Sequence, residues 1–398
     1  MQIVGKRSVP GTGPMGGVID EPSPSTRRHR ARMYRLLRPL LFRLNPEWAH
    51  TASLWGARVA QRTVLSLVAS RYQFEDERLK QRLWGDTFPN PVGLAAGADK
   101  NARAVPFWEA VGFGFVEVGS VSAQPAPGNP TPRAFRLPKD QALINRLGLN
   151  NDGAEAVADR LEHSRSDRAR PLGINLAKTH DPDIMGEAAL EDFRTSFRQL
   201  VGQADYVTLN VSCPNTPDGG TFEDPAALDA LLGAITAEQK APGLAVPVLV
   251  KLSPPLSDRV LFDTRLEEIL AVAADHDIDG FIATNTASDR KGVETSADRL
   301  DEIGAGGLSG PPLEARATRL VQYLYRATDG EIPIIGVGGV HDAESAYTKI
   351  RAGASLVQLY TALVYEGPGL VRRIKEGLVA RLSDDGYASL ENAVGADA

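Results

Sequence analysis

Between residues 92 and 359 short apolar runs alternate with longer segments in which apolar positions recur every three or four residues. Eight runs have the length and β-branched content of strands: 92–94, 115–118, 172–176, 206–211, 246–252, 280–284, 332–337 and 356–359. Helical periodicity fills several of the intervals, at 224–240, 265–275, 314–327 and 342–351. Eight strands, each followed by a helix, is the count that closes a parallel barrel, so the pattern predicts an α/β protein with a (β/α)8 TIM barrel. Two intervals, 119–170 and 285–331, are too long for one helix and predict insertions over one barrel mouth.

The chain before the barrel has a different texture. Residues 1–32 hold several Gly, Pro and Ser and end in RRHRAR, without an apolar stretch suited to a secretory signal, which predicts a disordered basic arm or translation upstream of a start at Met33. MYRLLRPLLFRL then places Leu36, Leu37, Leu40, Leu41 and Phe42 among Arg35, Arg38 and Arg43, a basic amphipathic segment. Asn45-Pro46-Glu47 has the grammar of a helix start, with Asn45 as cap and Pro46 at the first helical position. An apolar stripe follows at Trp48, Ala52, Trp55 and Val59. No run approaches the roughly 18 apolar residues that span a bilayer. Segment 33–70 can lie on a membrane or pack against the body; residues 71–86 read as a polar connector, 71–385 as the barrel and 386–398 as a tail.

Composition narrows the function. With 42% hydrophobic and 24% charged residues the chain is an ordinary globular protein. A single cysteine excludes an internal disulfide and an iron–sulfur cluster held by this chain alone, and predicts a reducing setting. The formal net charge of -6 gives no support for a nucleic-acid partner. No metal-ligating cluster stands out.

Residues just past the end of each run carry the candidate chemistry, because active sites of this barrel lie at the carboxyl-terminal ends of the strands. The successive ends bring Gly97, Asp99 and Lys100; Gly119 and Ser120; Asn175; 210–215; Lys251; Thr284, Asn285 and Thr286; Gly338 and Gly339; Tyr360 and Thr361. GVGGV at 336–340, with Tyr360 and Thr361 after the eighth run, predicts phosphate binding on glycine amides. GGLSG at 306–310 could add amides. Lys100 and Lys251 can stabilise an anionic substrate or a reduced cofactor's charge. Asn145, Asn175, Asn210, Asn215 and Asn285 suit a planar heterocycle with alternating carbonyl and N–H groups. Cys213, in YVTLNVSCPNTPDGG, is open to three readings: nucleophile, general base or buried filler. Only His180 and His341 of the six histidines fall near a strand end, which weakens covalent acyl chemistry. A thiol near 8.5 needs little adjustment to remove a proton, so proton abstraction is the better role.

Five stretches resemble the dihydroorotate dehydrogenases: GLAAGADKN from Gly93, GFGFVEVGSVSAQPAPGNPTPRAFR from Gly112, INRLGLNN from Ile144, IATNT from Ile282 and GGLSGPPL from Gly306. The resemblance runs from about Met33 to the helix after the eighth strand. MYRLLRPLLFRLNPEWAH is similar to the N-terminal helices of the membrane-associated, quinone-using class, which form a lipid-facing quinone entrance.

That resemblance implies one FMN per chain, surrounded by Ala96, Gly97, Ala98, Asp99, Lys100 and Ser120, then Asn175, Asn210, Lys251 and Thr284, and finally Gly310, Gly339, Tyr360 and Thr361. It implies substrate contacts from Lys100, from Asn145, Arg146, Leu147, Gly148 and Leu149, and from Asn210, Asn215, Asn285 and Thr286. Arg136, in PRAFR, matches an arginine near the quinone end. Cys213 would remove the C5 proton of dihydroorotate while hydride leaves C6 for the flavin. One departure stands at the centre: the quinone-using class has serine in NxSSPNT where this chain reads NVSCPNT, and cysteine is the base of the soluble classes. The adjoining TPDGGTFEDP also resembles a soluble-class loop. Because the N-terminal helices decide the acceptor, the implied partners are a membrane quinone and the membrane surface, at the cytoplasmic face of the cell membrane, with no obligatory protein subunit. A fumarate-using enzyme, another FMN barrel reductase and a non-catalytic flavin-binding membrane adaptor remain the alternatives; direct use of NAD would call for a second, cluster-bearing subunit.

Overall fold

The computed structural model describes Tyr34 and residues 36–212, 221–255 and 264–398. Eight parallel strands close into a barrel: β1 (Val92–Leu94), β2 (Phe115–Val121), β3 (Leu172–Leu176), β4 (Tyr206–Asn210), β5 (Val248–Leu252), β6 (Gly280–Ala283), β7 (Ile334–Val337) and β8 (Leu356–Leu359). Neighbours in the barrel are neighbours in sequence, and β8 pairs with β1. Strands β1, β3 and β8 match the expected runs, β4, β5, β6 and β7 are one or two residues shorter, and β2 is longer. That strand runs on to Val121, where its register against β3 shifts between Gly119 and Val121. An extra residue in one strand bends it and re-aims a side chain, and here the residue is Ser120.

The helices are α1 (Pro46–Thr63), α2 (Leu65–Tyr72), α3 (Val105–Val111), α4 (Ala154–His163), α5 (Glu187–Leu200), α6 (Pro225–Gln239), α7 (Thr264–Asp275), α8 (Ala297–Ile303), α9 (Glu314–Ala327), α10 (Ala343–Arg351), α11 (Thr361–Glu366) and α12 (Leu370–Asp384). Asn45 caps α1, its side chain accepting from the Glu47 and Trp48 amides. Asp342 caps α10 through a reciprocal bond with Ser345, satisfying donors that a bare helix start leaves open.

The barrel floor corrects one expectation. Residues 71–86 are not a plain connector, because Gln81–Leu83 pairs antiparallel with Asp86–Phe88 to form a hairpin. Its Phe88 joins Phe115, Tyr206, Leu249, Ile282, Ile335 and Leu356 in a closed apolar layer, with Trp84 beside them. Large rings fit because glycine faces them: a Cβ on Gly93 would lie 2.2 Å from the Phe115 ring, and one on Gly173 would lie 2.1 Å from Tyr206. Residues 386–398 are likewise no loose tail. Leu390 and Ala393 are fully buried, and Arg351 holds Asp397.

Both long intervals do carry insertions. Ala134–Leu137, Ala142–Asn145 and Gly307–Ser309 form a three-stranded antiparallel sheet, two strands from the first interval and one from the second. This small sheet supplies residues to the cavity at the strand ends.

Two lysines are enclosed in the helical layer. Lys349 donates to Thr318 Oγ1 at 2.8 Å with its stem packed over Gly336, and Lys375 donates to the Gly112 carbonyl at 2.7 Å. Burial pushes each ammonium down to about 7. A folded-state value below the unfolded one means that the unfolded chain holds more protons between about pH 7 and 10, so stability rises with pH across that window and is least below it. Lys349→Met is expected to flatten this rise by up to a few kcal/mol between pH 6.5 and 9.5 in denaturant unfolding. An unchanged slope would show that Lys349 titrates normally.

Candidate active site

Strand register decides which side chains meet at the mouth. It sets Gly119 opposite Asn175 and Asn210 opposite Lys251. Ser120, freed by the bulge, donates to Asn175 Oδ1 and accepts from Asn210 Nδ2 at 2.8 Å. Asn210 Oδ1 accepts from Asn285 Nδ2 at 3.1 Å, and that same nitrogen donates to the Ser212 carbonyl at 2.9 Å. Ser212 Oγ donates to the Lys251 carbonyl at 2.8 Å. An unbroken line of amides and hydroxyls therefore crosses the ends of β2, β3, β4, β5 and β6.

The line is rooted in the barrel interior by Glu117, which is fully buried on β2. Its oxygens accept from Asn175 Nδ2 at 3.0 Å, Gln358 Nε2 at 2.8 Å, Tyr206 OH at 3.1 Å and Thr208 Oγ1 at 3.4 Å. Burial and the adjacent Glu117 push the Tyr206 phenol well above its ordinary value, so it remains a donor. The four donors that reach Glu117 thereby meet an acceptor in low-dielectric surroundings, where an unpaired polar group is costly.

Above this network lies a cavity of about 1250 Å³ including its open mouth. Its walls bring together Ala96, Gly97, Lys100 and Ser120 from β1 and β2, and Asn210, Lys251, Thr284, Asn285 and Thr286 from β4 to β6. They also include Gly310, Gly339, Tyr360 and Thr361, and Asn145, Leu147, Gly148 and Leu149 from the first insertion. Lys100 Nζ bonds Asn150 Oδ1 at 2.7 Å, and Ser309 and Thr361 hydroxyls meet at 2.8 Å. Left-handed backbone at Gly339, with φ of 81°, turns the chain where a Cβ would lie 2.3 Å from Glu314 Cβ.

Four expected contacts fall elsewhere. Asp99 is fully buried, accepting from the Arg103 and Ala104 amides at the start of α3, and Ala98 lies with it outside the lining. Arg146 turns outward, bonding the Ala305 carbonyl at 3.0 Å and stacking on Phe135. Asn175 is wholly buried and acts through Ser120 rather than on the wall. Cys213 and Asn215 lie outside the described residues.

Several site residues have little signal in the sequence. Gln358 sits in the apolar run LVQL and lines the cavity floor, and His341 and Ser309 line its sides. His50 comes from α1: its Nδ1 lies 3.3 Å from Tyr360 OH. Burial, helped by Lys100, pushes the His50 imidazole down to about 4, so it is neutral at physiological pH. The Tyr360 phenol is pushed up to about 12 by burial. Arg136 lies on the same side, donating to the Leu44 carbonyl at 2.9 Å and covering the Phe42 ring at 4.8 Å. Glu47 binds Arg133 at 2.8 Å, and Tyr34 OH reaches the Val364 carbonyl. These contacts lock the N-terminal helices against the mouth.

The donor set fits a flavin mononucleotide. Gln358 Oε1 and Thr286 Oγ1 are buried on the cavity wall with no hydrogen-bond partner among the described residues, so a bound polar ring has groups waiting for it. The glycine turns offer unobstructed amides of the kind a phosphate needs.

Comparison with known proteins agrees over nearly the whole length. The family model described as dihydroorotate dehydrogenase matches residues 78–382. A Natronomonas pharaonis protein named dihydroorotate dehydrogenase (quinone) is 45% identical over 369 residues, covering 92% of this chain and 99% of its own. One of the same name from Chloroflexus aurantiacus is 45% identical, covering 88% and 98%. The crystal structure of DHODH from Eimeria tenella in complex with ferulenol superposes with a TM-score of 0.80 at 35% identity, covering 91% of this chain and 98% of that one. Matched by the family model over most of its length and by relatives of that name at 45% identity, this chain belongs to the dihydroorotate dehydrogenase family.

Proposed function

We infer that this chain oxidises dihydroorotate to orotate in pyrimidine biosynthesis, using FMN and passing electrons to a quinone. The observation that carries the reading is the unbroken amide and hydroxyl line from Glu117 through Asn175, Ser120 and Asn210 to Asn285, lying under a cavity that also holds Lys100 and Lys251. When bound, FMN supplies the acceptor for hydride from substrate C6. Asn210 and Asn285 present donors and acceptors to a planar ring, and Lys100 meets a carboxylate. Lys251, on β5, faces negative charge accumulating on the cofactor side. Cys213 comes directly after Ser212, which Asn285 and Lys251 anchor at the rim, and is assigned removal of the C5 proton.

Quinone is favoured over fumarate because relatives that match the N-terminal helices as well as the barrel carry quinone in their names. His50, Tyr360 and Arg136 then lie along the route between α1 and the flavin cavity. No helix among the described residues is long and apolar enough to cross a membrane. The stripe expected on α1 nevertheless faces outward, with Trp48 78% and Trp55 68% exposed, and Leu36, Leu37, Leu40 and Leu44 are exposed beside it. So much uncovered apolar surface suits peripheral attachment at the cytoplasmic face of the cell membrane.

Anaerobic mixing with dihydroorotate tests the reaction, since the visible flavin band should bleach; a band that persists would overturn it. Removing residues 33–70 is expected to leave bleaching intact while abolishing reoxidation by a quinone. A milder Trp48→Ser, Trp55→Ser variant should lower quinone turnover without altering bleaching. Normal quinone turnover in both would end the entrance assignment.

A further inference from the structure

A second cleft, of about 990 Å³ including its open side, lies along the carboxyl-terminal half of α1. Arg58, Arg62, Arg103 and Arg160 line it, with His163 and Asp167 at its far side. Asp152 is shared by Arg103 and Arg160, each at 3.0 Å. Arg58 and Arg62 form no ion pair or hydrogen bond among the described residues and are exposed. Four arginines against Asp152 and Asp167 leave an excess of positive charge in a concave site. Gln61 Nε2 donates to the Arg103 carbonyl at 3.3 Å, tying α1 to the opposite wall.

Helical spacing sets this cleft beside the uncovered apolar surface. Arg58 lies three residues after Trp55, and Arg62 lies seven after it, so both border the stripe made by Trp48, Trp55 and Val59. Leu67 on α2, 66% exposed, continues the apolar surface past the arginines. A soluble anion would use the arginines and leave the tryptophans in water. A protein partner would have to match both a bare leucine and tryptophan surface and a cleft lined by arginines. An anionic phospholipid satisfies both at once: its phosphate matches the guanidinium fork, and its acyl region covers the rings.

We propose that the Arg58–Arg62–Arg103–Arg160 cleft binds the phosphate of an anionic phospholipid, so that the enzyme docks selectively on negatively charged membrane. The proposal rests on the peripheral-membrane reading above and adds headgroup selectivity to it. Guanidinium groups clamp the phosphate while Trp55 and Val59 enter the interface. The substrate cavity is untouched by this docking.

Co-sedimentation of the full-length holoenzyme with phosphatidylcholine vesicles, with and without phosphatidylglycerol, tests it. Tighter binding to the phosphatidylglycerol vesicles is expected. Arg58→Gln and Arg62→Gln should each weaken that binding by more than about fivefold, the loss expected for a charge merely near an anionic surface. Binding to pure phosphatidylcholine, and flavin bleaching by dihydroorotate, should stay unchanged, which shows that the variants fold. Arg43→Gln, exposed on the preceding segment outside the cleft, should lose about fivefold or less. Equal losses for all three variants would overturn the site in favour of diffuse attraction. Equal binding to both vesicle types would overturn it while leaving the membrane reading intact. Binding to neither would remove the membrane reading as well. If inorganic phosphate raises the thermal midpoint through Arg58 and Arg62 and vesicles show no preference, the cleft serves a soluble phosphate and the lipid assignment falls.

Discussion

Replacing Cys213 with alanine is expected to slow flavin reduction by dihydroorotate by about 10² to 10⁴-fold, the usual contribution of a positioned general base. The yellow FMN spectrum should persist, because the glycine turns, Lys251 and the buried amides stay in place. Cys213→Ser gives the finer test. A thiol ionises near 8.5, whereas a hydroxyl ionises far above that, so the serine variant should need a higher pH for the same bleaching rate. The neighbouring geometry supports the assignment: Asn285 Nδ2 fixes the Ser212 carbonyl at 2.9 Å, and Ser212 Oγ is fixed on the β5 carbonyl of Lys251. Ser212, the residue before Cys213, is therefore held at a defined point of the mouth. Undiminished reduction in Cys213→Ala would remove the thiol from the mechanism.

Glu117→Leu is expected to be the most damaging change in the barrel interior. Its two oxygens accept from four donors, and leucine offers none of them a partner. An unsatisfied buried donor costs about 1–3 kcal/mol, although the Tyr206 and Thr208 hydroxyls can turn toward other acceptors. The net loss is then about 3–5 kcal/mol, which at about 2 cal/mol/K per residue lowers the thermal midpoint of a chain this long by roughly 5 °C. The damage should also reach the site. Asn175, freed from Glu117, no longer holds Ser120, and Ser120 is what positions Asn210. Flavin should therefore be lost on gel filtration at concentrations that keep the wild type loaded. Glu117→Gln keeps one acceptor and should show a smaller version of both effects. A Glu117→Leu protein with an unchanged midpoint and full flavin content would show that the carboxyl is not the anchor.

The resemblance at the sequence level leaves the central loop divided between two classes. The relatives that match the chain from its N-terminal helices onward are named for quinone, which resolves the acceptor although not the residue at position 213. An N-terminal entrance and a thiol base are compatible because they act on different half-reactions. In the proposed reading the acceptor approaches by way of His50 and Tyr360, whereas the proton leaves substrate at the β4 end.

Period, punctuation and composition are enough to reveal much of this protein. Apolar runs spaced by helices announce a parallel barrel because buried strands must be apolar on both faces. Asn45-Pro46 announces a capped helix because the cap bond is local. Strand-end residues announce the site because the barrel's geometry sends them all to one mouth. Other facts depend on contacts between segments far apart in sequence. The bulge that re-aims Ser120 comes from pairing between β2 and β3, and nothing within β2 alone specifies it. The Glu117 network joins β2, β3, β4 and β8, so Gln358 in an apolar run gives no local sign of its role. His50 meets Tyr360 across 310 positions. Asp99 and Arg146 stand in the matched motifs yet turn away from the cavity, since side-chain direction depends on which backbone amides and carbonyls lie within reach. Local periodicity determined the elements and the mouth they share; only long-range packing decided which atoms meet there, because hydrogen bonds and desolvation depend on distances that spacing along the chain does not encode.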